Sequence, residues 1–255
     1  MIPPKPVQKL LAEYPWLDYI PIFKTAKWTK IAELYEIAGD NAVDRNTAIE
    51  YYMESSLYYE NINLLYRSAI LRMKAAQTYK DLMCLDSSNM EYLNASDIFK
   101  DIAKMDCYIV CIGKIAENFW LMGEYECAIK HYEICVKTNV YLGKEQANID
   151  YLDCIGTIWS VHMGKYNLAI TIYDQLVKMT GSHHFMYILG LLCILAGKGV
   201  GIYDKKFIDS YYGEYLILLA NQPLKAVKMY EVYKDLIGQC VLHDILHKKI
   251  SEADV

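Results

Sequence analysis

Proline and glycine are scarce in this chain, at 6 and 13 of 255 residues. That excludes a disordered, linker-like or collagen-like polymer, since 54% of the residues are apolar types able to build a core. No excess of positive charge exists: the net charge is −5, and no basic stripe is present, which argues against phosphate-driven nucleic-acid binding. The eight cysteines, at 84, 107, 111, 127, 135, 154, 193 and 240, form no C-x-x-C pair. They read as reduced, buried thiols of a cytosolic protein. The longest apolar run, Phe185 to Ala196, falls short of the ~20 residues a membrane span needs. The opening Met1-Ile2-Pro3-Pro4-Lys5-Pro6 lacks the apolar centre of a signal peptide. Alternating apolar and polar residues are rare, so strands are not expected.

What the chain does have is self-similarity. Ala48-Ile49-Glu50-Tyr51-Tyr52, Ala128-Ile129-Lys130-His131-Tyr132 and Ala169-Ile170-Thr171-Ile172-Tyr173 each place a small residue four positions before a tyrosine. Ser88 and Tyr92 keep the pair between the first two, so the pattern recurs at steps of about forty residues. Residues at i and i+4 share a helix face. The small residue admits a neighbouring helix closely and the tyrosine fills the widening gap beside it. Gly123 and Gly164 precede two of the segments as helix-ending turns, and Gly39-Asp40 precedes a third more loosely. A single hairpin cannot bury its own face, so stacked hairpins are expected, as in tetratricopeptide-type solenoids but with a longer unit.

The periodicity predicts helices at about 5–14, 25–38, 44–62, 65–82, 88–102, 106–122, 125–140, 147–163, 166–180, 184–197, 204–220 and 222–249. The expected fold class is all-α: a tetratricopeptide-like solenoid of antiparallel helical hairpins over 1–180, with a C-terminal helical bundle over 181–255.

Ile115-Ala116-Glu117, Glu126-Cys127-Ala128-Ile129-Lys130-His131-Tyr132-Glu133, Tyr166-Asn167-Leu168-Ala169-Ile170-Thr171-Ile172-Tyr173 and Ala147-Asn148 before Tyr151-Leu152 together resemble the soluble NSF attachment proteins, in their alpha/beta branch. The similarity is clearest over 95–178 and collinear over 25–94. The resemblance implies an adaptor in vesicle transport and membrane fusion, cytoplasmic and peripherally membrane-associated. Its partners would be the four-helix SNARE bundle and the NSF-type hexameric ATPase that pulls the bundle apart. It implies no cofactor. Lys104 stands where the family has a SNARE-facing arginine. Two further basic positions of the family fall near Val110 and Ile149-Asp150, with Lys114 and Lys144 close by as substitutes. The family's membrane loop corresponds to the stretch holding Trp16, Leu17, Ile22 and Phe23. Its ATPase-docking leucine pair corresponds to Ile245 and Leu246, followed by Lys248 and Lys249.

Rival readings remain. One is a regulator or decoy of the same fold that binds only one of those partners. Another is an enzyme or metal protein using His183-His184 or His243 and His247. No glutamate adjoins His243 as in zinc hydrolases, and no cysteine pair accompanies either site. Gly197-Lys198-Gly199-Val200-Gly201 follows an apolar helix rather than a strand, which favours a loop over a phosphate cradle. Cys107 and Cys111 share a helix face and read as core.

Overall fold

The connections between helices carry the order of this molecule. In the computed structural model, residues 3–13, 21–199, 201, 205–238 and 240–253 are described. The helices are α1 (Lys5–Glu13), α2 (Pro21–Asp40), α3 (Arg45–Asn61), α4 (Leu65–Asp81), α5 (Leu85–Asp101), α6 (Met105–Leu121) and α7 (Tyr125–Tyr141). There follow α8 (Ile149–Thr157), α9 (Tyr166–Thr180), α10 (His183–Leu195), α11 (Lys205–Ile208), α12 (Tyr211–Asn221), α13 (Pro223–Ile237) and α14 (Val241–Glu252). No strand occurs among the described residues.

From α3 to α7 every helix has 17 residues and starts 20 residues after the one before, at 45, 65, 85, 105 and 125. The repeat is therefore a single helix plus a three-residue turn, and the forty-residue period of the sequence spans two of them. Each turn is closed in the same way. The middle residue is left-handed: Asn63, Met83, Ala103, Gly123, Gly143 and Gly164 have φ of 55–78°. The amide after it donates back to the carbonyl five residues earlier, as in Leu64 to Tyr59 (2.9 Å), Cys84 to Tyr79 (2.9 Å), Lys104 to Phe99 (2.7 Å) and Glu124 to Phe119 (2.9 Å). These are Schellman caps, which satisfy carbonyls that a helix end would otherwise leave bare.

One turn is out of step, and the structure shows why. The fourth small–tyrosine pair lies one residue late in the sequence. Ile158–His162 is π-helical, and Lys165 donates to Trp159 across six residues (2.7 Å) instead of five. An extra residue has been absorbed as a π-bulge without disturbing the cap that follows.

The expected packing of the recurring pair is present. Ala48, Tyr52, Ser88, Tyr92, Ala128, Tyr132, Ala169 and Tyr173 are all buried. Gly156 of α8 shows how tightly the tyrosines seat, since a Cβ there would lie 2.6 Å from the Tyr173 ring.

The chain forms two compact units, Met1–Thr138 and Asn139–Val255. In the first, α1 packs on α2 through Val7, Ile31 and Tyr35, and α2 to α4 share a core that includes Ala32, Ile49, Tyr59, Leu71 and Ala75. In the second, α8 and α9 pair, and α10, α12, α13 and α14 pack as a small bundle. The position 180, where the sequence pattern changes, separates α9 from α10 within the second unit.

Two long helices expected near the C-terminus are each divided. The stretch 204–220 breaks before Ser210, which caps α12 by accepting from the Gly213 amide at 3.3 Å. The stretch 222–249 breaks at Gly238, whose φ of 76° ends α13 before α14 begins. Helical apolar spacing runs through both points, so the breaks hinge on local backbone chemistry rather than on periodicity. The cysteines also differ from expectation: all eight are free, but only Cys111 and Cys135 are buried, and Cys84 is exposed.

Ala103 holds a left-handed conformation at φ 55° that costs an L-residue roughly 1 kcal/mol. Ala103→Gly should raise the unfolding free energy by about 1 kcal/mol in urea titration, with helical content unchanged.

Candidate functional site

Three assemblies of polar side chains stand out against the apolar packing. The first lies among α3, α4 and α5. Ser68 and Arg72 occupy the places on α4 that the small residue and the tyrosine hold on α3 and α5. Arg72 is mostly buried and clasped on both sides: Nε and Nη2 donate to Glu60 Oε1 at 3.1 and 3.0 Å, and Nη1 to Glu91 Oε2 at 2.9 Å. Ser68 also donates to Glu60 Oε1 (2.8 Å), and Asn94 to Glu91 Oε1 (3.4 Å). Removing either partner from such a network strands a desolvated charge, which is why each member depends on the rest. Glu60, Leu65, Arg72, Asn94, Asp97 and Ile98 line an open groove of about 410 Å³ beside it.

The second is a ladder of ion pairs that skips from α4 to α2 and α6. Lys74 reaches Glu36 and Asp40, both at 2.9 Å. Lys80 reaches Glu117 at 2.8 Å, and Lys114 meets the same carboxylate at 2.9 Å. Burial pushes the Glu117 carboxyl up, but the hydrogen bonds from Lys80 and Lys114 outweigh it and hold it below its ordinary value.

The third lies in the second unit. His243 of α14 is fully buried among Tyr187, Tyr215 and Tyr230, with ring centroids 5.0–5.9 Å away. Its Nε2 is hydrogen-bonded to the Tyr187 hydroxyl, and its Nδ1 has no partner among the described residues. His247 Nε2 pairs with the Tyr215 hydroxyl at 3.0 Å. Burial, and secondarily the nearby His247, pushes His243 down to about 4. The cluster has the chemistry of a neutral polar core. Among the described residues no three His, Cys, Asp or Glu side chains come together as metal ligands. His183 packs edge-on against Phe207, apart from this pair.

The residues singled out by resemblance fall in varied settings. Lys104 is exposed in the α5–α6 turn, as is Lys144 after α7. Lys114 is half-buried and committed to Glu117. Trp16 and Leu17 lie outside the described residues, Ile22 lies in the first turn of α2, and Phe23 beside it is about half exposed. Leu246 is 4% exposed and belongs to the core, so it presents no surface anchor, while Ile245 is half-buried. Lys248 is exposed near Glu252 (3.9 Å), and Lys249 sits over the Tyr166 ring at 4.9 Å. The groove residues Glu60, Arg72, Asn94 and Asp97 were not foreseen. The available signal was a charged Arg72 four residues after the small Ser68, the spacing at which α3 and α5 place a tyrosine.

No family model matches the chain, and no curated protein does. Among solved structures it is similar to BtubC (BKLC) from P. vanneervenii, with a TM-score of 0.52 at 17% identity over 88% of this chain and 90% of that one. The apo form of RapI gives 0.48 at 13% identity over 97% and 87%. The Rap conjugation gene regulator of plasmid pLS20, in complex with the Phr* peptide, gives 0.45 at 17% over 91% and 76%. Identities this low speak to fold alone, and the first likeness agrees with an all-α, tetratricopeptide-like stack of hairpins. Among the described residues no helix is long and apolar enough to cross a membrane.

The buried His243 gives a pH prediction. Its folded pKa is depressed from 6.5, so the unfolded chain binds the extra proton first. Its contribution is complete above pH 6.5 and is lost as pH falls toward 4, by up to roughly 3 kcal/mol. Urea midpoints measured from pH 7 to 4.5 should fall steeply, and the fall should flatten in His243→Phe.

Proposed function

We propose that the chain is a non-catalytic adaptor that works by holding other proteins on the faces of its helical repeats. The observation that carries this is the regular 20-residue helix step of α3 to α7, which repeats outward-facing positions at fixed intervals. Repeats of this kind offer extended surfaces rather than enclosed reaction sites. The three polar clusters fit that reading, because each is internally paired or packed and none sets a nucleophile beside a base.

The resemblance to the soluble NSF attachment proteins gives the adaptor its partners. In this reading a SNARE four-helix bundle is gripped with help from Lys104, Lys114 and Lys144, and an NSF-type ATPase is recruited through Lys248, Lys249 and Ile245. Phe23 and its neighbours would touch the membrane. Lys104, Lys144 and Lys248 are exposed, as such contacts require.

A second reading, a regulator that binds one of the two partners, is favoured by the burial of Leu246. That burial leaves the half-buried Ile245 as the one apolar member of the pair for the ATPase contact.

A pull-down with an assembled SNARE complex and, separately, with an NSF-type ATPase tests these readings. The adaptor should retain both. Retention of one alone selects the regulator, and retention of neither overturns the attachment-protein reading.

A further inference from the structure

The groove beside Arg72 is more than a gap between helices. Its acidic end is built with an acceptor to spare. All three hydrogen bonds to Glu60, from Ser68 and from two nitrogens of Arg72, fall on Oε1. Among the described residues Oε2 accepts none of these bonds and can take another donor. Arg72 projects little positive charge into the groove, because it is held between Glu60 and Glu91. Asp97 lines the same groove, is exposed, and forms no ion pair among the described residues. Two carboxylates, those of Glu60 and Glu91, thus hold one guanidinium, and a third, Asp97, lines the groove beside them.

The other end is apolar. Leu65 lines both this groove and an adjoining one of about 340 Å³, which Leu64, Tyr66 and Ile102 border. Leu64 and Tyr66 are 41% and 46% exposed, a large share for such side chains. Tyr66 is braced edge-on against Phe99 at 5.8 Å, so this wall is fixed in place. Arg67, which also lines that end, lies 3.9 Å from Glu36. All of these residues belong to the first compact unit.

We propose that this groove across α3, α4 and α5 is a docking site for a partner-protein segment that carries a lysine or arginine next to aliphatic residues. The cationic group lies between Glu60 Oε2 and Asp97, where its hydrogen bonds are charge-assisted. The aliphatic residues cover Leu64, Leu65 and Tyr66 and supply the desolvation energy. Charge complementarity selects a basic segment over an acidic one and speeds its encounter. The site rests on the adaptor reading and names one kind of segment the adaptor holds.

The probe is a short fluorescein-labelled peptide of leucine and lysine, with its leucine–glutamate counterpart as the opposite-charge control. Anisotropy titrations of the full chain should show saturable binding of the lysine peptide alone, weakened by added salt. Asp97→Lys, at an exposed position, should reduce affinity about ten-fold or more with the circular dichroism spectrum unchanged. Glu50→Lys, an equal charge change on the exposed face of α3 outside the groove, should change it less than about two-fold. The proposal is overturned if the two variants weaken binding equally, if both peptides bind alike, or if the lysine peptide fails to bind. None of these outcomes depends on the SNARE and ATPase pull-down. A bound peptide with a failed pull-down keeps the groove and removes the attachment-protein partners, while the reverse removes the groove alone.

Discussion

A left-handed residue in the middle of a three-residue turn is the constraint from which the rest of this structure follows. It ends each helix with two backbone hydrogen bonds and sends the chain back along the helix just made. Because the turn and the helix keep constant lengths from α3 to α7, each helix presents its positions in the same register as the last. Burial of the small–tyrosine pair repeats on that register. So does the departure from it: Ser68 and Arg72 bring a charged group to a site that neighbouring helices fill with a ring. The groove lies where α4, between two helices that carry the tyrosine, carries Arg72 instead.

The same constraint separates what stabilises the molecule from what is free to bind. Inward positions hold alanine, serine and tyrosine. Lys74, Lys80 and Glu117 strap alternate helices together through partly buried ion pairs, and such pairs fix geometry more than they add stability. In the second unit the ring-lined His243 and His247 fasten α14 to α10 and α12 through tyrosine hydroxyls. Residues that remain exposed, such as Asp97, Leu64, Lys104 and Lys248, are those on which a partner can act.

Much of this was legible in the sequence. The tyrosines at 52, 92, 132 and 173 revealed the helices, their pairing and their buried faces. They also concealed half of the period, since they lie on alternate helices. The 20-residue step is written elsewhere, in the aliphatic residues Ile62, Leu82, Ile102, Met122, Leu142 and Met163 that open the turns. Three of those turns use Asn63, Met83 and Ala103 where glycine is the usual signal, so composition did not mark them. The groove was not legible, because its lining comes from three helices and its key feature is an oxygen left without a partner among the described residues. The burial of Leu246 depended on which face α14 turns inward, and the break at Gly238 decides where that helix starts.

A fixed 20-residue step, closed by its turn, organises the chain, and Ile158–His162 contains one residue more than the step requires. Deleting the exposed His162 tests it directly, beside deletion of the exposed Met90 from the middle of α5. The first deletion should turn the π-bulge into ordinary α-helix, with a cooperative thermal transition and helical signal close to those of the parent. The second shifts every later residue of its helix by ~100° relative to the turn and should abolish the transition or lower its midpoint severely. Equal loss from both deletions, or a greater loss from removing His162, would contradict it.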